Sequence, residues 1–248
     1  MTVIDADSHV IECEKTWEYF DEREARHKPL ILTVDGDGDG GQYISIDGRL
    51  RPMGQPKDVG SKRSVMSGHA RTTEAMRTLQ DIPGRLRQMD ELGIDIQVLY
   101  PTMMALSQVT PRPEVDAALA RSYNRWLADA WEQSDGRLRW IAVPGVLNMD
   151  QALPQIRWAA AHGACGVLLR PFEGDRLICD PYFFPLYEEA QRLDLPIAVH
   201  DGNANPAYTR LVAGEAFSGS KLPILSAVHT LIVHGIPDRF PTLRWGFI

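Results

Sequence analysis

Long hydrophobic runs are missing from this 248-residue sequence, and so is any cluster of lysine and arginine. Without an apolar stretch of about 20 residues, no segment reads as a membrane span. The N-terminus also lacks the basic and apolar regions of a secretory leader. Twenty-six basic residues against 33 acidic ones leave a formal net charge of −7, which argues against nucleic acid or an anionic membrane as partner. Cysteine is scarce. Cys13, Cys165 and Cys179 are odd in number, widely spaced and free of any C-x-x-C pair, so they are expected to be reduced thiols in a cytoplasmic protein. No G-x-G-x-x-G follows the first predicted strand, which removes support for a dinucleotide fold.

What is present is ordinary globular composition, 44% hydrophobic and 24% charged, enough for one substantial core. From residue 81 onward strands and helices alternate. Ile82, Leu86, Met89 and Leu92 keep helical spacing until Gly93, and residues 95–100 form a predicted strand closed by Pro101. The clearest helix starts near Pro113, with Val115, Leu119, Tyr123, Trp126 and Ala130 on one face. Strands are predicted at 138–143, 166–169, 196–200 and 243–248, and helices at 150–162, 180–193 and 222–234. With the opening strand this makes six strands, mostly apolar on both faces, as in a parallel α/β sheet.

Two stretches stand outside that rhythm. A short helix is expected near 15–26. Residues 30–75 look like an insertion: two β-rich runs, 30–34 and 42–46, joined by the turn Asp35-Gly36-Asp37-Gly38-Asp39-Gly40, then a loop from 53 to 80 able to cover a site. The turn imitates the start of a calcium-binding EF-hand loop. Its twelfth position is Ile46 rather than a bidentate glutamate, and strands flank it, which rules against calcium.

The chemistry concentrates at strand ends. In Ile4-Asp5-Ala6-Asp7-Ser8-His9-Val10, strand alternation puts Asp7 and His9 on one face. A carboxylate and an imidazole suit Zn²⁺, Mn²⁺ or Fe²⁺, although the tripeptide alone reads first as a solvated loop in which Asp7 caps a turn. His200 ends the apolar run Ile197-Ala198-Val199 on the same side of the sheet and supplies a third convergent donor. Tyr100 and Arg170 also follow strands, the pattern of a barrel whose catalytic face lies at its strands' C-terminal ends. Arg170 could fork onto a substrate carboxylate, or pair internally with Glu173 or Asp175.

These residues, with Gly93-Ile94-Asp95, Gly163-Ala164-Cys165-Gly166-Val167, Asp180-Pro181, Leu195 to His200 and Asp238-Arg239-Phe240-Pro241, give the chain a resemblance to the amidohydrolase-related family. The similar branch contains aminocarboxymuconate-semialdehyde decarboxylase and the aromatic-acid decarboxylases. The resemblance implies a single domain, residues 1–248, of (β/α)₈ TIM-barrel type cut short after its sixth strand and leaving an open edge there. It implies one divalent metal held by Asp7, His9 and His200, zinc foremost with manganese or iron as alternatives. It also implies catalytic roles for Arg170 and His200, a small carboxylate as substrate, and a homodimer. Asp-x-His stands where this branch carries His-x-His or Glu-x-His, and Arg170 lies near the place where binuclear relatives carry a carbamylated lysine. The family's last aspartate ligand and its catalytic His or Glu have no counterpart up to Ile248. The activity implied is non-oxidative decarboxylation of a small aromatic or unsaturated acid. Hydrolysis of an amide, ester or thioester by metal-activated water is the first alternative, and a truncated, non-catalytic binding module the second.

Overall fold

A computed structural model describes residues 1–34, 41–52, 72–106, 108–201 and 221–248. In chain order the strands are β1 (Ile4–Val10), β2 (Leu30–Val34), β3 (Gly41–Ile46), β4 (Arg49–Pro52), β5 (Ile96–Pro101), β6 (Leu138–Ala142), β7 (Ala164–Leu169), β8 (Phe172–Glu173), β9 (Arg176–Leu177), β10 (Ile197–Val199) and β11 (Trp245–Phe247). The α-helices are α1 (Glu74–Arg77), α2 (Ile82–Leu92), α3 (Met103–Leu106), α4 (Pro113–Gln133), α5 (Met149–Ala161), α6 (Phe184–Arg192), α7 (Leu222–Val233) and α8 (Ile236–Arg239).

The six strands expected from the apolar runs form one parallel sheet in the order β1-β5-β6-β7-β10-β11. Each sits beside its predecessor in the series, as consecutive elements commonly do. The sheet is open among the described residues, with β1 and β11 at its edges, so it is an arc of a barrel. Its strands are apolar because both faces are covered: Leu99, Leu138, Trp140, Val167, Leu169 and Val199 are all fully buried. Helix boundaries follow local chemistry. Asp81 caps α2 by accepting from the Gly84 N–H, and Gly93 ends it in the left-handed conformation at φ +69°. Pro113 opens α4, whose buried stripe runs from Val115 to Ala130.

Two expectations change. The stretch near 15–26 is not one helix but two 3-10 turns, Glu14–Tyr19 and Glu22–His27. Arg125 of α4 donates to the Tyr19 carbonyl at 3.1 Å and to Asp21 at 2.9 Å, so tertiary bonds end the first turn before an α-helix can propagate. In the insertion the two expected β runs pair antiparallel as β2-β3, and an unexpected third strand, β4, extends them to a three-stranded sheet. Ile44 and Ile46 are buried beneath it, and Arg51 ties it to the Val109 carbonyl. The acidic Gly-rich turn and residues 53–71 of the expected covering loop lie outside the described residues. The rest of that loop holds α1, capped by the Thr73 hydroxyl. No described helix is long and apolar enough to cross a membrane.

Two positions give direct tests of packing. Gly163 links α5 to β7 at φ +88°, and a Cβ there would lie 2.2 Å from the Trp131 indole. Gly163→Ala is expected to destabilise the fold by about 2–4 kcal/mol, from left-handed strain and overpacking together. Unchanged denaturant stability would refute this contact. Asp116, in the first turn of α4, is buried and its carboxylate accepts from the Leu147 N–H at 3.3 Å. Burial raises its pKa to about 6, against the opposing pull of Arg170. A raised pKa means stability that is complete below the ordinary carboxylate range and is lost as pH rises through about 6. Asp116→Asn keeps the acceptor without the charge. It should raise the melting temperature at pH 7–8 and leave it unchanged near pH 4; equal effects at both would sink the assignment.

Candidate metal centre

β1 and β10 are four strand-to-strand steps apart, which in a flat sheet is about 19 Å. The sheet curls enough to bring His9 Nε2 and His200 Nε2 within 3.1 Å. Asp7 Oδ1 is 3.5 Å from His9 Nε2 and 3.6 Å from His200 Nε2. One donor atom from each residue falls within 4.8 Å of the others. The three residues singled out by the sequence therefore meet at one end of the sheet.

The aim of Asp7 depends on a local irregularity. Asp5 pairs with Gln97 and Ser8 with Leu99, so β1 carries one residue more than β5 between these pairs. This β-bulge puts Asp5 and Ser8 on the outward face, and Asp7 and His9 on the inward one. Outward, the Ser8 hydroxyl donates to Asp5 Oδ2, the Gln97 amide donates to the same oxygen at 3.3 Å, and Arg85 Nε donates to Gln97 Oε1 at 2.8 Å. Arg85 also donates to the His9 carbonyl at 3.1 Å. Burial lowers the Arg85 pKa to about 10, still well above neutrality, so a buried cation braces the strand directly behind the histidine.

Both imidazoles are fixed in one tautomer. His9 Nδ1 lies 3.1 Å from the Pro101 carbonyl and His200 Nδ1 lies 2.7 Å from the Asp201 carbonyl. A carbonyl only accepts, so each Nδ1 carries the proton and each Nε2 presents its lone pair inward. Two lone pairs at 3.1 Å repel unless a cation lies between them. Two ligands about 2.1 Å from one ion, at tetrahedral to octahedral angles, are about 3.0–3.4 Å apart. The observed 3.1, 3.5 and 3.6 Å separations match a single divalent cation.

Around these donors the loop after β5 is clamped from two sides. Glu12, buried beyond the end of β1, accepts backbone N–H bonds from Thr102, Met103 and Met104 at 3.0–3.2 Å. Burial pushes its pKa up and those N–H groups pull it down, with burial the larger effect. Arg170 stands after β7, level with His200 because Leu169 pairs with Val199. Its Nε and Nη2 donate to Glu173 Oε2 at 3.0 and 2.5 Å, and its Nη1 donates to the Met104 carbonyl at 2.8 Å. Of the two partners open to it in the sequence, these contacts are the internal pair. Tyr100, at the end of β5 and in register with His9, packs its ring against both imidazoles, with centroids 6.1 and 5.3 Å away.

Sequence pattern misses the bracing residues. Nothing in Asp5-Ala6-Asp7-Ser8 marks a bulge, and Arg85 and Gln97 sit in ordinary helix and strand patterns. Glu12 did carry a signal: a carboxylate following an apolar strand needs a partner if it is buried.

The chain is similar to several known proteins. A γ-resorcylate decarboxylase from Polaromonas sp. is 27% identical over 175 residues, 64% of this chain and 52% of the relative. The chain spans about half the length of the curated relatives it matches. An amidohydrolase structure from Mycobacterium avium subsp. paratuberculosis superposes on 99% of this chain and 72% of its own, with TM-score 0.70 and 20% identity. A 5-carboxyvanillate decarboxylase from Novosphingobium aromaticivorans, complexed with manganese and 4-hydroxy-3-methoxy-5-nitrobenzoic acid, covers 99% of this chain and 64% of its own, with TM-score 0.67 and 20% identity. The fold is therefore that of amidohydrolase barrels, and because the Amidohydrolase family model matches residues 4–247, the chain belongs to that family.

Proposed function

We propose that this chain carries the metal site of a non-oxidative decarboxylase acting on a small aromatic carboxylic acid. The inward convergence of the His9 and His200 lone pairs with the Asp7 carboxylate carries this reading. The substrate class is supported by the name of the γ-resorcylate decarboxylase relative. Asp7, His9 and His200 are the ligands, and a divalent ion held there supplies Lewis acidity to the oxygens of a bound acid. In the reaction the bond between ring carbon and carboxylate breaks, its electron pair stays on the ring carbon, and a proton takes the place of CO₂. His200 is buried, so it anchors the site from the core side, while the exposed Asp7 faces solvent. Arg170 acts as a positioning residue: by holding the Met104 carbonyl it fixes the loop that also carries Pro101, the acceptor for His9.

Zinc or manganese suits two imidazoles and one carboxylate better than magnesium or calcium, which favour all-oxygen shells; zinc is our first choice. The three free thiols support a reducing cytoplasm as the compartment, and the net charge of −7 speaks against nucleic-acid partners. The assembly proposed is a homodimer, testable by light scattering. The domain assignment is one barrel-type unit, residues 1–248, with 30–75 inserted.

Metal analysis after dialysis should give one ion per chain. His200→Ala should lose at least tenfold in metal affinity while keeping a native circular dichroism spectrum. The zinc- or manganese-loaded chain should convert 2,6-dihydroxybenzoate to resorcinol and CO₂, and His200→Ala should not. Two ions per chain, or full activity in the variant, would overturn the site. Hydrolysis of an ester or amide panel without CO₂ release would replace decarboxylation by hydrolysis, and failure to bind metal would leave a non-catalytic module.

A further inference from the structure

Tyr100 differs from Tyr19, Tyr123, Tyr182 and Tyr187 in what its hydroxyl does. Tyr19 donates to Asp129 at 2.6 Å, Tyr182 to the Val146 carbonyl at 2.8 Å, and Tyr187 to the Ile178 carbonyl. The Tyr123 hydroxyl has no partner but is sealed inside the core. Tyr100 is 3% exposed as a residue. Its ring lies against the two imidazoles that define the metal centre, yet its hydroxyl makes no hydrogen bond among the described residues. That oxygen is not among the sealed, unpartnered atoms, so part of its surface stays accessible.

Phenylalanine would pack the same ring against the imidazoles, so the packing does not require the hydroxyl. The ring position is fixed by the backbone, because Tyr100 pairs with His9 across β1 and β5, and the following residue, Pro101, accepts from His9 Nδ1. The ring thus stands beside the ligands on a rigid element, which suits its hydroxyl to meet a group that arrives with the metal.

We propose that the Tyr100 hydroxyl donates a hydrogen bond to an oxygen of the aromatic acid bound at the metal centre, making Tyr100 a substrate-contacting residue. This rests on the carboxylic-acid reading above. Only an acceptor can answer a donor of this kind, and the carboxylate and ortho-hydroxyl oxygens of a hydroxybenzoate are the acceptors that reading supplies. The charge of a carboxylate makes the bond stronger than one between neutral groups.

Tyr100→Phe tests the assignment, since it keeps the ring against both imidazoles and removes no existing bond. Calorimetric titration of the manganese-loaded 248-residue chain should show 2,6-dihydroxybenzoate binding weakened roughly tenfold to hundredfold by the substitution. Mn²⁺ affinity should stay within about twofold, and the melting temperature should not fall. Equal binding of the acid by both proteins overturns the proposal. So does loss of Mn²⁺ from the variant, which would make Tyr100 a support for the ligands instead. If the wild-type chain takes up Mn²⁺ but binds no aromatic carboxylate, the carboxylic-acid reading itself falls and this inference with it.

Discussion

Two imidazole nitrogens facing each other with their lone pairs, His9 Nε2 and His200 Nε2 at 3.1 Å, set the terms for the rest of this molecule. Neither can turn its proton inward without giving up a backbone carbonyl, Pro101 for one and Asp201 for the other. The arrangement is electrostatically unfavourable until positive charge enters, and it is built from strands that a flat sheet would hold far apart. Curvature of the parallel sheet is therefore what the site requires first. The large apolar residues packed on the sheet, Leu99, Trp140, Leu169 and Val199 among them, keep that curvature, so the hydrophobic core and the donor geometry are one construction.

The polar residues near the site work at a different scale. Arg85, Glu12 and Arg170 are all buried, and an isolated buried charge would be prohibitive. Each is answered by backbone: Arg85 by the His9 carbonyl, Glu12 by three consecutive N–H groups, Arg170 by the Met104 carbonyl together with Glu173. Backbone partners cannot change rotamer, so these charges lock the ends of β1, β5 and β7 to one another. Well-packed apolar residues of equal volume often serve stability as well as buried ion pairs do, but they would not fix where the Pro101 carbonyl points, and with it the tautomer of His9.

Much of this was legible in the sequence because it rests on short-range pattern. Apolar runs announced six parallel strands, Gly93 and Pro113 marked helix ends, and Asp7, His9 and His200 stood out as donors at strand ends. What stayed hidden depends on pairing between distant segments. The bulge at Ala6–Asp7 is a mismatch between β1 and β5, visible only once both strands are laid together. Residues 14–27 break into two turns because Arg125, a hundred residues on, takes their carbonyl. Arg170 offered a substrate clamp or an internal pair, and only its distance to Glu173 separates the two.

Under the proposed function, charge is what would select acids at the site. The chain as a whole is anionic at −7, Arg170 is neutralised by Glu173, and Arg85 is buried behind β1. A divalent ion on Asp7 and two neutral imidazoles leaves one net positive charge facing the opening of the arc. An aromatic carboxylate approaching this surface is repelled over most of it and attracted there. On that proposal metal occupancy and acid recognition form a single linked equilibrium: without the ion, Asp7 is unopposed and the same site repels the proposed substrate.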